Sequence, residues 1–145
     1  MTVAKPEAKK KPERPVPRPS SFTKPFWEGA AQKKLMLQYD PDSRSYQFWP
    51  RPISIKTGKA NLEWRQASGK GKLYSFTIVH VPGAGFEDRV PYVIGLVELE
   101  EGVRIVANLT GLKPEEAKIG LPMRVTWEPL GDTNYYAFEP DRQGA

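Results

Sequence analysis

No cysteine occurs in this 145-residue chain, and the absence bears hardest on one stretch, residues 39–57, YDPDSRSYQFWPRPISIKT. Disulfides, thiolate metal centres and a cysteine nucleophile are all excluded. The stretch opens on the turn formers Asp40, Pro41, Asp42 and Ser43, then crowds Tyr46, Phe48 and Trp49 together. It stiffens at Pro50 and Pro52 around Arg51. No apolar periodicity runs through it. A module of this kind has to be held by its rings, by its prolines or by something outside itself. A single histidine in the chain also excludes a multi-histidine metal cluster.

The 15 prolines and 12 glycines favour turns and short strands over long helices. A hydrophobic content of 39% supports one modest core, and the length fits one domain with a small appendage. The formal charge of +5 is unevenly placed: residues 1–21 hold six Lys or Arg against two Glu, which leaves the remainder close to neutral. The basic character thus belongs to an arm, which weakens any inference to nucleic acid. No apolar run approaches the roughly 20 residues that span a bilayer, and no apolar segment follows the charged N-terminus as a secretory signal would need. A cytoplasmic protein is expected.

Residues 1–21, rich in Lys and Pro, read as a disordered basic tail. Pro25 suits a helix start, and Phe26 and Trp27 lead a short helix through about Lys34, followed by a strand at Leu35 to Leu37. From Leu62 onward the pattern is β. NLEWRQASGKGKLYSFTIVHV alternates before turning β-branched and aromatic, and YVIGLVELEEGVRIVANLTG reads as a hairpin turning at Glu101 and Gly102 between strands of about 92–100 and 103–110. KPEEAKIG is a one- to two-turn helix, LPMRVTWEPL a strand, and NYYAFEP a short last strand. Five or so strands with one short helix before the last long strand suggest a small closed barrel, with an OB-fold as the natural candidate and a β-sandwich as the alternative. The expected units are 1–21, 22–61 (helix and ribbon-like module), 62–139 (barrel) and a flexible C-terminus over 140–145.

Catalytic constellations are not evident. His80 has no serine or carboxylate at a supporting spacing, so packing or hydrogen bonding is the favoured role. Glu98 and Glu100 share a strand face, which is more simply the wet side of a half-buried strand with Val97 and Leu99 inward. Lys70 and Lys72 flank Gly71 in a turn that can meet phosphates or blunt a sheet edge. PGAGFEDRVPY combines Phe86, Arg89 and Tyr92 with Gly83 and Gly85, glycines that permit close backbone approach. Phe26, Trp27, Phe48 and Trp49 are dense enough to mean a local core or an interface.

Taken in order, PFWEG, LMLQ, QFWPRP, LEW, SGKGKLYSFTIVH, PYVIGLVELEEGVR, NLTG and IGLPMRV, over about residues 22–129, resemble the DUF35 family. The resemblance implies a mainly β chain: an N-terminal helix, a rubredoxin-like zinc ribbon, and a five-stranded OB-fold barrel with one short helix. It also implies two CxxC pairs in the ribbon. Their positions fall here on Asp40 and Ser43, then Ser54 and Thr57, a set that lacks thiolates and is expected to bind no metal. The implied substitutes are Tyr46, Phe48 and Trp49 packed on the helix and barrel, turns stiffened by proline, and a partner.

The resemblance further implies a non-catalytic accessory subunit that binds a thiolase-fold enzyme, or a hotdog-fold one, in a hetero-oligomer acting on acyl-CoA thioesters. This chain would bind no cofactor; the CoA thioester would be the substrate of the complex. Contacts to the partner are expected from Phe26, Trp27, Phe48, Trp49 and Phe86, and contacts to CoA phosphates from Arg51, Lys70 and Arg89. The alternative is a single-stranded nucleic-acid-binding OB-fold, drawing on Lys72, Tyr74 and Phe76, which the near-neutral folded part argues against. A stand-alone enzyme is the third and weakest reading.

Overall fold

A computed structural model of the chain describes residues 13–143. Helix α1 runs Lys24–Ala31, with Pro25 in its first turn, where the missing N–H would have no helical partner anyway. It stops three residues before the expected Lys34. Lys33 adopts a left-handed conformation (φ 58°), and the amides of Lys33 and Lys34 donate back to the carbonyls of Ala30 (2.9 Å) and Gly29 (2.8 Å). That paired arrangement terminates a helix by satisfying its last carbonyls.

Strands β1 (Met36–Asp40), β2 (Ser45–Gln47) and β3 (Glu63–Gln66) form an antiparallel three-stranded sheet in the order β2-β1-β3. We call this sheet and its loops the ribbon. The sequence pattern places everything from Leu62 with the barrel, yet β3 pairs along β1, Met36 opposite Gln66 and Tyr39 opposite Glu63.

Strands β4 (Lys70–Val79), β5 (Tyr92–Leu99), β6 (Arg104–Leu109), β7 (Pro122–Leu130) and β8 (Thr133–Pro140) close a barrel in the order β4-β5-β6-β8-β7. The expected hairpin is β5–β6, with Gly102 (φ 86°) in its turn. The helix expected after Lys113 is a single 3-10 turn, Pro114–Glu116. Alternation along β5 buries Val93, Val97 and Leu99 and leaves Glu98 outside, as a sheet with one dry face requires, and Glu100 is exposed in the turn just past its end. Leu73, Ile105, Leu109, Met123 and Phe138 complete the interior. Five-stranded closure leaves an interior that side chains alone can fill.

The segment NYYAFEP is more than a short last strand. β8 pairs with β7 along its whole length, bridges β6 in parallel at Phe138, and so closes the barrel. Asn134 Nδ2 on the same strand donates to the Ala30 carbonyl (3.1 Å) at the end of α1. One strand therefore both completes the barrel and fixes the helix against it.

Two terminal expectations change. Residues 13–21 are tied to the barrel through Arg14, which pairs with Glu128; residues 1–12 lie outside those described. At the other end Pro140 still belongs to β8, and Arg142 donates to the Gly111 carbonyl (3.2 Å). Among the described residues no helix is long and apolar enough to cross a membrane.

Candidate functional site

The ribbon has two polar centres, both built from residues that a strand places on one face. Gln38 and Asp40 are two apart on β1 and point the same way. Asp40 is buried, and its Oδ2 accepts hydrogen bonds from Ser54 Oγ (2.5 Å), Ser43 Oγ (2.9 Å) and Thr57 Oγ1 (3.2 Å), while Oδ1 takes the Asp42 amide (2.9 Å). Ser54 Oγ in turn accepts from the amides of Lys56 (3.1 Å) and Thr57 (3.2 Å). The four positions inferred from the family pattern thus meet around one carboxylate.

The chemistry of that set does not suit zinc. Its one carboxylate is occupied by three hydroxyls and an amide, and hydroxyls are weak zinc ligands beside thiolate or imidazole. Among the described residues no group of three or more His, Cys, Asp or Glu could hold a metal ion. The hydrogen bonds also fix the charge of Asp40. The Ser54 hydroxyl above all, then Ser43 and the Asp42 backbone, holds the carboxyl down at about 2 from its ordinary 3.8, against burial, which pushes it up. At the rim, Asp42 accepts from Lys59 Nζ and Asn61 Nδ2, both at 3.0 Å, and its carboxyl is also lowered, first by Lys59.

The second centre was not anticipated from sequence. The Gln38 side chain donates to the Arg51 carbonyl and accepts from the Arg51 amide (2.8 Å each), and Gln47 donates to Gln38 Oε1 (2.9 Å) and the Ile53 carbonyl (3.2 Å) while accepting from the Ile55 amide (3.0 Å). Two buried glutamines on paired strands thereby carry the loop 51–55, whose own residues form no sheet. The legible clue was parity: Gln38 and Asp40 lie on one strand face, and Gln38 pairs across with Gln47.

Aromatic packing does join the ribbon to helix and barrel, as expected, with one added member. Phe26 is 1% exposed and sits within ring-to-ring distance of Trp27 (4.9 Å), Phe48 (5.8 Å), Trp49 (5.8 Å) and Tyr136 (6.0 Å). Phe26 therefore supports the cluster from beneath and offers no surface of its own. Tyr136, from β8, is the barrel's contribution; burial pushes its phenol upward in pKa, and its hydroxyl donates to the Val106 carbonyl (3.0 Å). Tyr46 instead packs its ring on Tyr39 at 4.8 Å, with the Arg65 guanidinium 3.6 Å over Tyr39.

What reaches solvent is the tip of the ribbon. Trp49 is 46% exposed, Ile53 48% and Ile55 57%, while Phe48 is half-buried and stacked on Trp49 at 4.4 Å. Arg51 is exposed between them in sequence. The other expected contacts lie elsewhere. Phe86 stacks on Tyr92 (5.3 Å) in the loop before β5. Arg89 is paired with Glu128 (3.2 Å). Lys70 begins β4 on a groove of about 520 Å³ that it shares with Lys72, Glu98 and Glu100. The three cations expected at CoA phosphates are thus on three different elements. Of the residues considered for nucleic acid, Phe76 packs on the core and Tyr74 lies under Arg104 at 3.7 Å.

Comparison with known proteins follows the same geometry. Residues 64–128 match the family described as ChsH2, C-terminal OB-fold domain. The chain is 38% identical over 126 residues to the 3-oxo-4,17-pregnadiene-20-carboxyl-CoA hydratase alpha subunit of Mycobacterium tuberculosis, covering 86% of this chain and 40% of that one. It covers 38% of a probable enoyl-CoA hydratase alpha subunit of Thermomonospora curvata, so it spans about two-fifths of the length of these relatives. It is 38% identical to a DUF35 domain-containing scaffold protein of Pyrococcus furiosus, over 69% of this chain and 74% of that one. A solved structure titled Ltp2-ChsH2(DUF35) aldolase superposes with a TM-score of 0.78 at 30% identity, over 86% of this chain and 98% of that one. With its ribbon, its closed five-stranded barrel and these relatives, the chain belongs to the DUF35 family of OB-fold proteins.

Proposed function

We propose that this chain is a non-catalytic accessory subunit that docks onto an enzyme processing acyl-CoA thioesters, with a thiolase-fold catalytic subunit as the partner of choice and a hotdog-fold hydratase as the other. The observation that carries the reading is the ribbon tip. Trp49, Ile53 and Ile55 expose large apolar side chains within seven positions of the chain, on a loop held rigid by Gln38, Gln47 and Asp40. Exposed large apolar side chains on a preorganised support are what an interface anchor requires, because little ordering entropy is left to lose on binding. The names of the relatives, a CoA-ester hydratase subunit and an aldolase complex containing a DUF35 chain, agree with that role.

Within this reading Trp49 is the central anchor, with Phe48 and Trp27 extending the contact and Phe86 supplying a separate one. Arg51, beside the anchor, is the best-placed contact for a CoA phosphate. Lys70 and Arg89 share their surroundings with carboxylates, which offset their charge. The test is co-purification with a thiolase-fold enzyme. A stoichiometric complex is expected from the wild-type chain, and its loss from the Ile53→Asp, Ile55→Asp double variant at unchanged unfolding midpoint, since both side chains are about half exposed and outside the aromatic cluster. Undiminished complex formation by that variant would remove the ribbon tip from the interface.

A further inference from the structure

The N-terminal arm is sorted by one side chain. Arg14 Nη1 meets Glu128 Oε2 at 2.5 Å, with the two side chains only 11% and 19% exposed. Its guanidinium lies 4.9 Å over the Phe86 ring and 5.5 Å over Tyr135. The backbone of Arg14 closes on Gly85, where φ is +83° and a methyl group would lie 2.7 Å from the Arg14 nitrogen. The notch therefore has a carboxylate at its base, an aromatic ring on either side and a glycine that lets an extended chain pass. Arg89 reaches the same Glu128 Oε2 at 3.2 Å and its guanidinium lies 5.5 Å over the Phe86 ring, so it forms a second wall of the notch. Downstream, Pro15, Val16 and Pro17 border a cleft with Trp27 and Tyr135.

We propose that this notch is an arginine-reading peptide site whose resident ligand is the chain's own segment 13–19, bound in cis as a strap over β7 and β8. The features on the page select arginine rather than any cation. A planar, weakly hydrated guanidinium can pair with the carboxylate and lie flat against two rings at once, whereas a compact, strongly hydrated ammonium meets the same groups only as a point charge. The prolines at 15, 17 and 19 keep the segment extended and limit the entropy lost when it docks. The strap is also positioned to cover part of Trp27 and Tyr135, so its occupancy sets how much of that aromatic surface is open.

The test uses the full chain and a synthetic peptide of residues 13–19. Arg14→Ala withdraws the resident guanidinium and leaves Arg89 on Glu128, and this variant is expected to bind the peptide while the wild-type chain does not at the same concentration. A change in Trp27-dependent fluorescence reports docking. Arg14→Lys in the peptide, or Glu128→Gln in the Arg14→Ala receptor, is expected to weaken binding about tenfold. Gly85→Ala, which leaves both charges in place, is a second route to displacing Arg14 and is expected to expose the arm to exchange. Equal peptide binding by wild type and Arg14→Ala, binding by neither, or indifference to Arg14→Lys overturns the proposal. So does a wild-type chain that is dimeric and becomes monomeric on Arg14→Ala, since the arm would then be exchanged between copies. Each outcome is independent of whether the ribbon tip binds an enzyme.

Discussion

The ribbon and the barrel solve the same problem with opposite materials. The barrel is closed around Leu73, Val93, Val97, Ile105, Met123 and Phe138, an interior of apolar side chains. The buried polar side chains among the described residues, Gln38, Asp40, Gln47 and Ser54, all belong to the ribbon. The barrel gains from apolar area, which tolerates variation so long as volume is kept. The ribbon is too small to do so. It depends on a few directed hydrogen bonds, each of which leaves an unsatisfied partner if broken. Where family members would place metal ligands, this chain closes its two loops on one carboxylate.

The strongest way to sharpen that contrast is to exchange Asp40, Ser43, Ser54 and Thr57 together for cysteine. If the four positions keep a tetrahedral frame, the variant takes up one zinc per chain and its ribbon becomes sensitive to chelators. Structural zinc contributes on the order of 10 kcal/mol in small finger peptides. Metal content and chelator-dependent hydrogen exchange at residues 54–59 measure it, and the barrel is expected to be indifferent.

Phe26→Ala removes the ring on which ribbon, helix and barrel converge. A buried aromatic cut to alanine costs about 3–5 kcal/mol, and denaturant unfolding is expected to show that loss together with weakened protection of the ribbon. If only the ribbon loosens and the barrel midpoint is kept, the two regions are less coupled than the Phe26–Tyr136 contact implies.

Ser54→Ala withdraws the shortest donor to Asp40. Hydrogen bonds to charged groups contribute about 1.5–3 kcal/mol, and the loss is expected locally. Amide exchange should accelerate at Ser54, Thr57 and Gly58 while Val97, inside the barrel, keeps its rate.

The gentlest probe is acid. The folded state holds Asp40 at about 2, below its ordinary 3.8, so folding favours the ionised carboxylate. Its contribution is whole above about pH 3.8 and is lost as the pH falls toward 2. Asp42, lowered by Lys59 and Asn61, acts in the same direction. Ribbon amides are therefore expected to lose protection in acid before those of β5. Simultaneous loss would break the contrast.

Much of this was legible in advance. The β5–β6 hairpin followed from period-two alternation and a glycine turn, and the helix start from Pro25. The helix end was misplaced because Lys33 takes a conformation more typical of glycine. β8 was underrated because its Tyr135, Tyr136, Ala137 and Phe138 do not alternate in a readable way: Tyr136, Ala137 and Phe138 are all buried, with Tyr136 and Phe138 on the inner face and Tyr136 where α1 packs on the barrel. Trp27, Phe48 and Trp49 were recognisable as an aromatic group, but burial separates Phe26 from Trp49, and sequence carries no record of which ring lies on top.

What the sequence determined by itself was the material: no thiolates, a dense aromatic set, alternating strands and an arm of prolines and cations. Tertiary structure alone decided how those parts were paired. Asp40 meets Ser54 across fourteen positions, and Arg14 meets Glu128 across more than a hundred. Periodicity reports only which face a residue occupies, whereas a hydrogen bond depends on angstrom-scale distance and direction between segments that the fold brings together.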